Sequence, residues 1–349
     1  MKLNSKCFLL AALIVLGFVS GASAAEKWTG IKCNDEYPEP SYPDEIIQTF
    51  TKVCYISQFG NQDEAIEKGF RVGDLFSVWS GTGGFREKLN NEIQEAMQIC
   101  SGDGLCYGFE LRFETDLDLG GFEVSNGDTV CVSAFDPVLI PVDVLTNYVT
   151  EINGNGKTIK GYCDIGQGDK SFFKGVQSFG TPNEVIVDVQ NARFSDIHFD
   201  SAYVKATGTE ARAAVLADTA TGISLSNVSV NNSRVSANGV AAGLVARYYT
   251  NSANVVRNVS VNAELRGQTV GGVFGRATYL GDSDETSVFS LLNSSVNVNA
   301  YPYDENAFSA GGLIGMLSAK DGSVLIQDDT VGVKVVDSRI SGYSPRRIP

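Results

Sequence analysis

The chain has 349 residues, room for about two domains of ordinary size, and its 27 Lys and Arg against 41 Asp and Glu give a formal net charge of −14. Charged residues at 19% and hydrophobic ones at 43% exclude wholesale disorder, and 37 glycines without a three-residue period exclude collagen. The acid excess argues against nucleic acid as a partner, and a single His excludes multi-His metal centres and the H-E-x-x-H pattern.

Residues 1–24 read as a cleaved export signal. Lys2 and Lys6 precede the apolar run Cys7 to Val19, and Ala22-Ser23-Ala24 supplies the small residues of a cleavage site. The run is too short to span a membrane, which takes about 20 residues, and none like it follows. The expected mature chain is therefore not transmembrane; it is secreted or held at the cell surface, extracellular or periplasmic. Cleavage removes two lysines and no acids, leaving a charge of −14 − 2, about −16. Six cysteines remain: Cys33, Cys54, Cys100, Cys106, Cys131 and Cys163. An even number in an exported chain points to disulfides. Sequential pairing closes the shortest loops, so 33–54, 100–106 and 131–163 are the favoured pairs among fifteen combinations.

Residues 25–108 form an N-terminal, disulfide-bearing capping region. Pro38, Pro40 and Pro43 keep its first part irregular. Phe85, Leu89, Ile93, Ala96, Met97 and Cys100 then fall on one helical face, which predicts a helix near 84–100 ending at Gly102 and Gly104. Its apolar face suits it to close one end of a following sheet.

From 109 the texture is β-rich, with alternation in Phe109–Leu119 and a tight turn at Asn153-Gly154-Asn155-Gly156. Beyond 190 the chain repeats. Asp196, Asn227, Asn258, Asn293 and Asp328 anchor the repeat at spacings of 31, 31, 35 and 35. Two residues before them stand Phe194, Leu225, Val256, Leu291 and Ile326; three residues after stand Phe199, Val230, Val261, Val296 and Val331. Both rows are wholly apolar. The row two after the anchor is polar: His198, Ser229, Ser260, Ser295 and Thr330. The row one after, Ile197, Val228, Val259, Ser294 and Asp329, loses its apolar character toward the C-terminus. Stacked equivalent residues explain such rows, because an inward position must be apolar in every repeat. Asn and Asp suit the bend at the anchor because their side chains bond local backbone and tolerate unusual dihedrals. The expected fold over 109–343 is an all-β, right-handed parallel β-helix, a β-solenoid. Residues 344–349 form a tail, and since no capping segment closes the last repeat, a truncated or association-prone end is expected.

A second landmark recurs at Ala214-Val215-Leu216-Ala217, Gly243-Leu244-Val245-Ala246, Gly272-Val273-Phe274-Gly275 and Gly312-Leu313-Ile314-Gly315. These segments resemble the GLUG motif of bacterial secreted and surface proteins. Thr115-Asp116-Leu117-Asp118-Leu119 and Asn153-Gly154-Asn155-Gly156-Lys157-Thr158-Ile159 are similar to the segments that lead into GLUG repeats. The resemblance covers about 109–335. It implies a right-handed β-helix on an exported bacterial protein, many of which are read as adhesins, and it brings no catalytic residues.

The residues themselves offer little chemistry. His198 falls on the outward row, and no G-x-S-x-G elbow accompanies it. No catalytic residue and no cofactor are expected; calcium at Asp116 and Asp118 is the one metal left open, against a plain solvated strand face. The residue after each landmark is Asp218, Arg247, Arg276 and Met316, which places Arg247 between Asp218 and Arg276. With Tyr248, Tyr249 and Tyr279 these arginines form the candidate contact surface for a glycan or a surface protein. The insert carrying Asp282, Asp284, Glu285 and Tyr301-Pro302-Tyr303 is the candidate variable loop. The expected function is adhesion or extracellular interaction without catalysis, as one part of a surface assembly. The alternative is a polysaccharide lyase or hydrolase, or an accessory glycan-binding module, on the same scaffold.

Overall fold

A computed structural model describes residues 27–36, 50–103, 106–142, 149–177, 185–250, 254–280, 287–302, 309–319, 332–336 and 339–343. The leader at 1–24, the tail at 344–349, Asp282, Asp284, Glu285 and Tyr303 of the insert, and Ile326, Asp328 and Val331 of the fifth repeat lie outside them.

The chain is mostly β, with extensive parallel sheets, no closed barrel, and two α-helices among the described residues. It opens antiparallel. Trp28–Glu36 pairs with Phe50–Phe59, and Cys33 stands directly opposite Cys54, to which it is bonded. Phe50–Phe59 then pairs in parallel with Cys106–Phe113, and from there the first sheet adds parallel strands from successive repeats. The helix Phe85–Asp103 runs past Gly102, three residues further than the periodicity alone requires. Phe85, Leu89 and Ile93 are buried and join the same core as Ile31, Leu111 and Ile152, so the helix face covers the start of the stack. The side chains of Ala96, Met97, Cys100 and Cys106 lie outside the described residues, and the 100–106 pairing with them.

The stacking rows emerge as residue-by-residue register. Leu111 pairs with Ile152, Ile152 with Phe194, Phe194 with Leu225, Leu225 with Val256 and Val256 with Leu291. A second inward row runs through Leu117, Ile159, Phe199, Val230, Val261 and Val296. Apart from Leu291, whose side chain is not described, these residues are buried. Each buried Leu, Ile, Val or Phe contributes about 1.5–3 kcal/mol of hydrophobic stabilisation.

The fifth repeat corrects the expected rows. Val335 pairs with Leu291 and Ile340 with Val296, the register places that the repeat pattern gives to Ile326 and Val331. In sequence the anchor position therefore falls on Asp337 rather than Asp328. An intervening segment longer than in earlier repeats carries a chance copy of the pattern.

The anchors behave as the chemistry of Asn and Asp demands. Asp196, Asn227, Asn258 and Asn293 all hold left-handed φ values between 48 and 57°, a region that L-residues other than Asn and Asp seldom occupy. The Asn227 amide also donates to Asp196 Oδ1 at 2.6 Å, tying one repeat to the next. A second corner was not visible in the pattern: Ser201 and Asn232 are left-handed too, and Asn232 donates to Asp200 Oδ1 at 2.9 Å. The polar intrusion at Ser294 is satisfied inside the stack. Its hydroxyl accepts from the Val259 amide and donates to the Leu292 carbonyl, so a buried polar group carries no unpaired penalty.

A second parallel sheet contains Ala217–Thr221, Val245–Thr250, Phe274–Tyr279 and Ile314–Ala319. A third contains Arg212–Ala214, Val240–Ala242, Thr269–Gly271 and Ser309–Gly311. The first glycines of the later landmarks, Gly243, Gly272 and Gly312, sit at the corner between these two. A Cβ on Gly272 would lie 2.1 Å from the Gly312 carbonyl oxygen and 2.3 Å from Val296 Cγ1, with no room to yield. Gly272→Ala is therefore expected to cost at least about 2 kcal/mol through overpacking. Gly73→Ala, where nothing lies within 4 Å, should stay within about 0.5 kcal/mol. Chemical denaturation midpoints of the two variants check this; equal midpoints would show that the corner is not tightly packed.

Candidate functional site

The second sheet carries the arginines. Along a strand, alternate side chains face opposite ways, so Tyr248 and Ala277 enter the core while Arg247, Tyr249, Arg276 and Thr278 face outward. Tyr248 is fully buried and stacks on Phe274 at 4.5 Å between ring centroids, with its hydroxyl 3.5 Å from the Ile223 carbonyl. It is a core residue, and the expectation that it contacts a ligand is corrected. The side chain of Tyr279 lies outside the described residues.

The neighbours of Arg247 are also corrected. Arg247 pairs with Arg276 on one side, as expected, but with Thr219 on the other rather than Asp218. The first landmark is one residue out of step: Ala214 pairs with Ala242, and the Val215 amide donates to the Gly243 carbonyl. Val215 thus takes the place that glycine holds later, and Thr219, not Asp218, stands in the arginine row.

Asp218 belongs instead to a charged cluster that the repeat pattern did not reveal. It is 8% exposed, accepts from Ser171 Oγ at 3.1 Å and lies 4.0 Å from Lys174 Nζ. Burial pushes its carboxyl above the ordinary value, against the pull of Lys174 and Arg212. Asp164 is comparable. It occupies an inward row with Val204, Val235, Leu265 and Ala300, is 7% exposed, and lies 3.1 Å from Lys170. Burial raises its carboxyl too. The hydroxyl of Tyr162 is buried near both acids without a hydrogen-bond partner, and burial pushes it well above the usual phenol range. Asp169 differs. Burial pushes it up, but the Arg212 guanidinium and amide outweigh that and hold it below the usual carboxylate value. Arg212 also donates to Thr219 Oγ1 at 2.6 Å.

His198 is half-buried rather than exposed, with Nδ1 2.9 Å from Ser229 Oγ in the next repeat. Asp116 Oδ1 accepts from the Thr158 amide at 2.9 Å, while Asp118 pairs with Lys27 and accepts from the Gly120 amide. Partial burial pushes Asp118 up, and these donors bring it below the ordinary value. Both carboxylates are thus engaged by protein donors. Among the described residues no cluster of three or more His, Cys, Asp or Glu is placed to hold a metal.

A cleft of ≈ 540 Å³ opens where the N-terminal region meets the parallel strands. Trp79 and Phe135 line it, stacked at 5.6 Å, with the Lys27–Asp118 pair, Gln58 and the exposed Val132 around them. The Cys131–Cys163 disulfide ties its hairpin wall to the stack. Its residues come from segments more than 100 positions apart, and no local motif marks them.

No protein-family model, no curated protein and no solved structure matches the chain. The disulfides 33–54 and 131–163 are as spacing suggested and are consistent with an extracellular or periplasmic protein. Among the described residues no helix is long and apolar enough to cross a membrane.

The buried acids generate a pH test. A carboxyl raised in the folded state contributes stability below its unfolded value of 3.8, and that contribution is lost as pH rises through the folded value. Asp218→Asn removes this contribution and keeps a group that accepts from Ser171. Between about pH 4 and pH 7, the variant's unfolding free energy should therefore fall less, or rise more, with pH than that of the wild type. Equal slopes in urea titrations across that range would show that Asp218 titrates alike in both states.

Proposed function

We propose that the stacked repeats form a right-handed parallel β-helix of the GLUG-repeat kind, exported and displayed as a non-catalytic adhesion or surface-interaction protein. The observation that carries this reading is the outward face of the second sheet. There Arg247 and Arg276 stand in register on adjacent parallel strands, each with its Nε shielded from water and without a protein partner among the described residues. A regular sheet holds side chains at fixed intervals of about 4.8 Å, so such a face presents its groups already ordered for a repeating ligand. The disulfides and the helix over the first strands favour a chain built to persist outside the cell.

The competing reading, a polysaccharide lyase or hydrolase, draws on Asp164 and Asp218, whose raised carboxyls have the property required of a general acid. Their low exposure and their pairing with Lys170 and Lys174 favour a role inside the scaffold.

Glycan-array binding, run beside reducing-sugar and unsaturated-uronate release assays on plant and bacterial polysaccharides, decides between the two. Binding without product is the expected result. Turnover that is lost in Asp218→Asn would overturn it in favour of the enzyme.

A further inference from the structure

We infer that Arg247 and Arg276 form an anion site that takes the carboxylate of an acidic, hydroxyl-rich glycan laid along the stack of strands. The inference rests on the reading of this face as a ligand surface and adds the ligand class.

Three observations lead to it. The first is the pairing of like charges. Arg247 and Arg276 are direct register partners on neighbouring strands, an arrangement that is destabilising unless something neutralises it. The second is the absence of that neutralisation among the described residues. Three upstream cations are paired: Arg212 with Asp169, Lys174 with Asp218, Lys170 with Asp164. No described carboxylate lies within ion-pair distance of Arg247 or Arg276, in a chain whose net charge is −14. Asp188 is influenced by Arg247 only at longer range. The third is the state of the donors. Both Nε atoms are out of contact with water and lack acceptors among the described residues, whereas a buried charged donor demands a partner. The guanidinium fork matches a planar carboxylate, and two forks about 4.8 Å apart can share one.

The flanking row identifies the rest of the ligand. Thr221, Tyr249, Thr278 and Ser318 are register partners in sequence along the same face. Arg247 Nη1 lies 3.4 Å from the Tyr249 hydroxyl, and Thr278 Oγ1 lies 3.1 Å from Ser318 Oγ. Ser318 is buried, but the half-buried Thr221, Tyr249 and Thr278 set neutral hydroxyls beside the two guanidinium groups, which suits a polymer bearing hydroxyls along its length and a carboxylate at intervals. Tyr249 adds an aromatic face with a polar tip. The charged stretch is short, with Thr219 before Arg247 and Met316 after Arg276. The site therefore reads one or two carboxylates within a longer chain. General attraction of acidic polymers is excluded by the protein's own negative charge.

The test uses the whole chain and four probes: polygalacturonate oligomers, the same oligomers methyl-esterified, neutral galactan oligomers and poly-glutamate. Calorimetric titration should show polygalacturonate binding that weakens at least about ten-fold on esterification and by as much in Arg276→Gln. Arg276→Lys, which keeps the charge and loses the fork, should weaken it by a smaller factor, and serves if Arg276→Gln does not fold. Unchanged unfolding midpoints in the variants exclude a general loss of structure. Polygalacturonate binding that neither esterification nor either Arg276 variant alters, or no polygalacturonate binding at all, would overturn the site. Tighter binding of poly-glutamate would overturn the glycan and point to an acidic protein. Galactan binding that survives in every variant would leave the adhesion reading standing while this site falls.

Discussion

Parallel register between successive repeats is the constraint on which the rest of the structure depends. Backbone hydrogen bonds fix each residue beside its equivalent in the next repeat, so one position in the repeat becomes one column in the molecule. A column that faces inward is apolar, as in Leu111, Ile152, Phe194, Leu225 and Val256, or holds a polar group that the protein partners, as at Asp164 and Ser294. A column at a corner must accept left-handed backbone, hence Asp196, Asn227, Asn258 and Asn293. A column that faces out is free of both demands, and there the sequence can place charge without an internal partner.

Columns were legible in the sequence where the constraint is strict. The two inward rows and the anchors follow from apolar and Asn/Asp spacing because any exception would break packing or strain the backbone. Where the constraint is loose, the pattern misled. Val215 fills a glycine place in the first landmark, which shifted Asp218 into the arginine row in place of Thr219. Ile326 and Val331 match the inward pattern in sequence, whereas Val335 and Ile340 hold the register places beside Leu291 and Val296. Tyr248 sits next to Arg247 in sequence yet on the other face of the strand, and an aromatic residue bordering a charged one gives no sign of which way it turns. The cleft beside Trp79 and the acids Asp164 and Asp218 were illegible for another reason. Their partners lie far away in the chain, and no period connects them.

Charge is distributed accordingly. Near the N-terminal end of the parallel strands, the acids are drawn into the scaffold and neutralised by Lys170, Lys174 and Arg212. Further along, Arg234 pairs with Glu264, while Arg247 and Arg276 stand without an acid among the described residues. An acidic chain that leaves two adjacent guanidinium groups without a carboxylate among its described residues has supplied half of a contact. The ordered columns supply its spacing, and the neighbouring hydroxyls its chemical character.

The claim that successive repeats stack in direct register is tested most directly by cysteine pairs on the polar outward row. Ser229, Ser260 and Ser295 are successive register partners, at a spacing of about 4.8 Å that lies within the Cα separation a disulfide bridges. Oxidation followed by peptide mapping should give cross-links in the S229C/S260C and S260C/S295C chains and none in S229C/S295C, which skips a repeat. A cross-link in the skipping pair, or none in either adjacent pair, would contradict the stacked register.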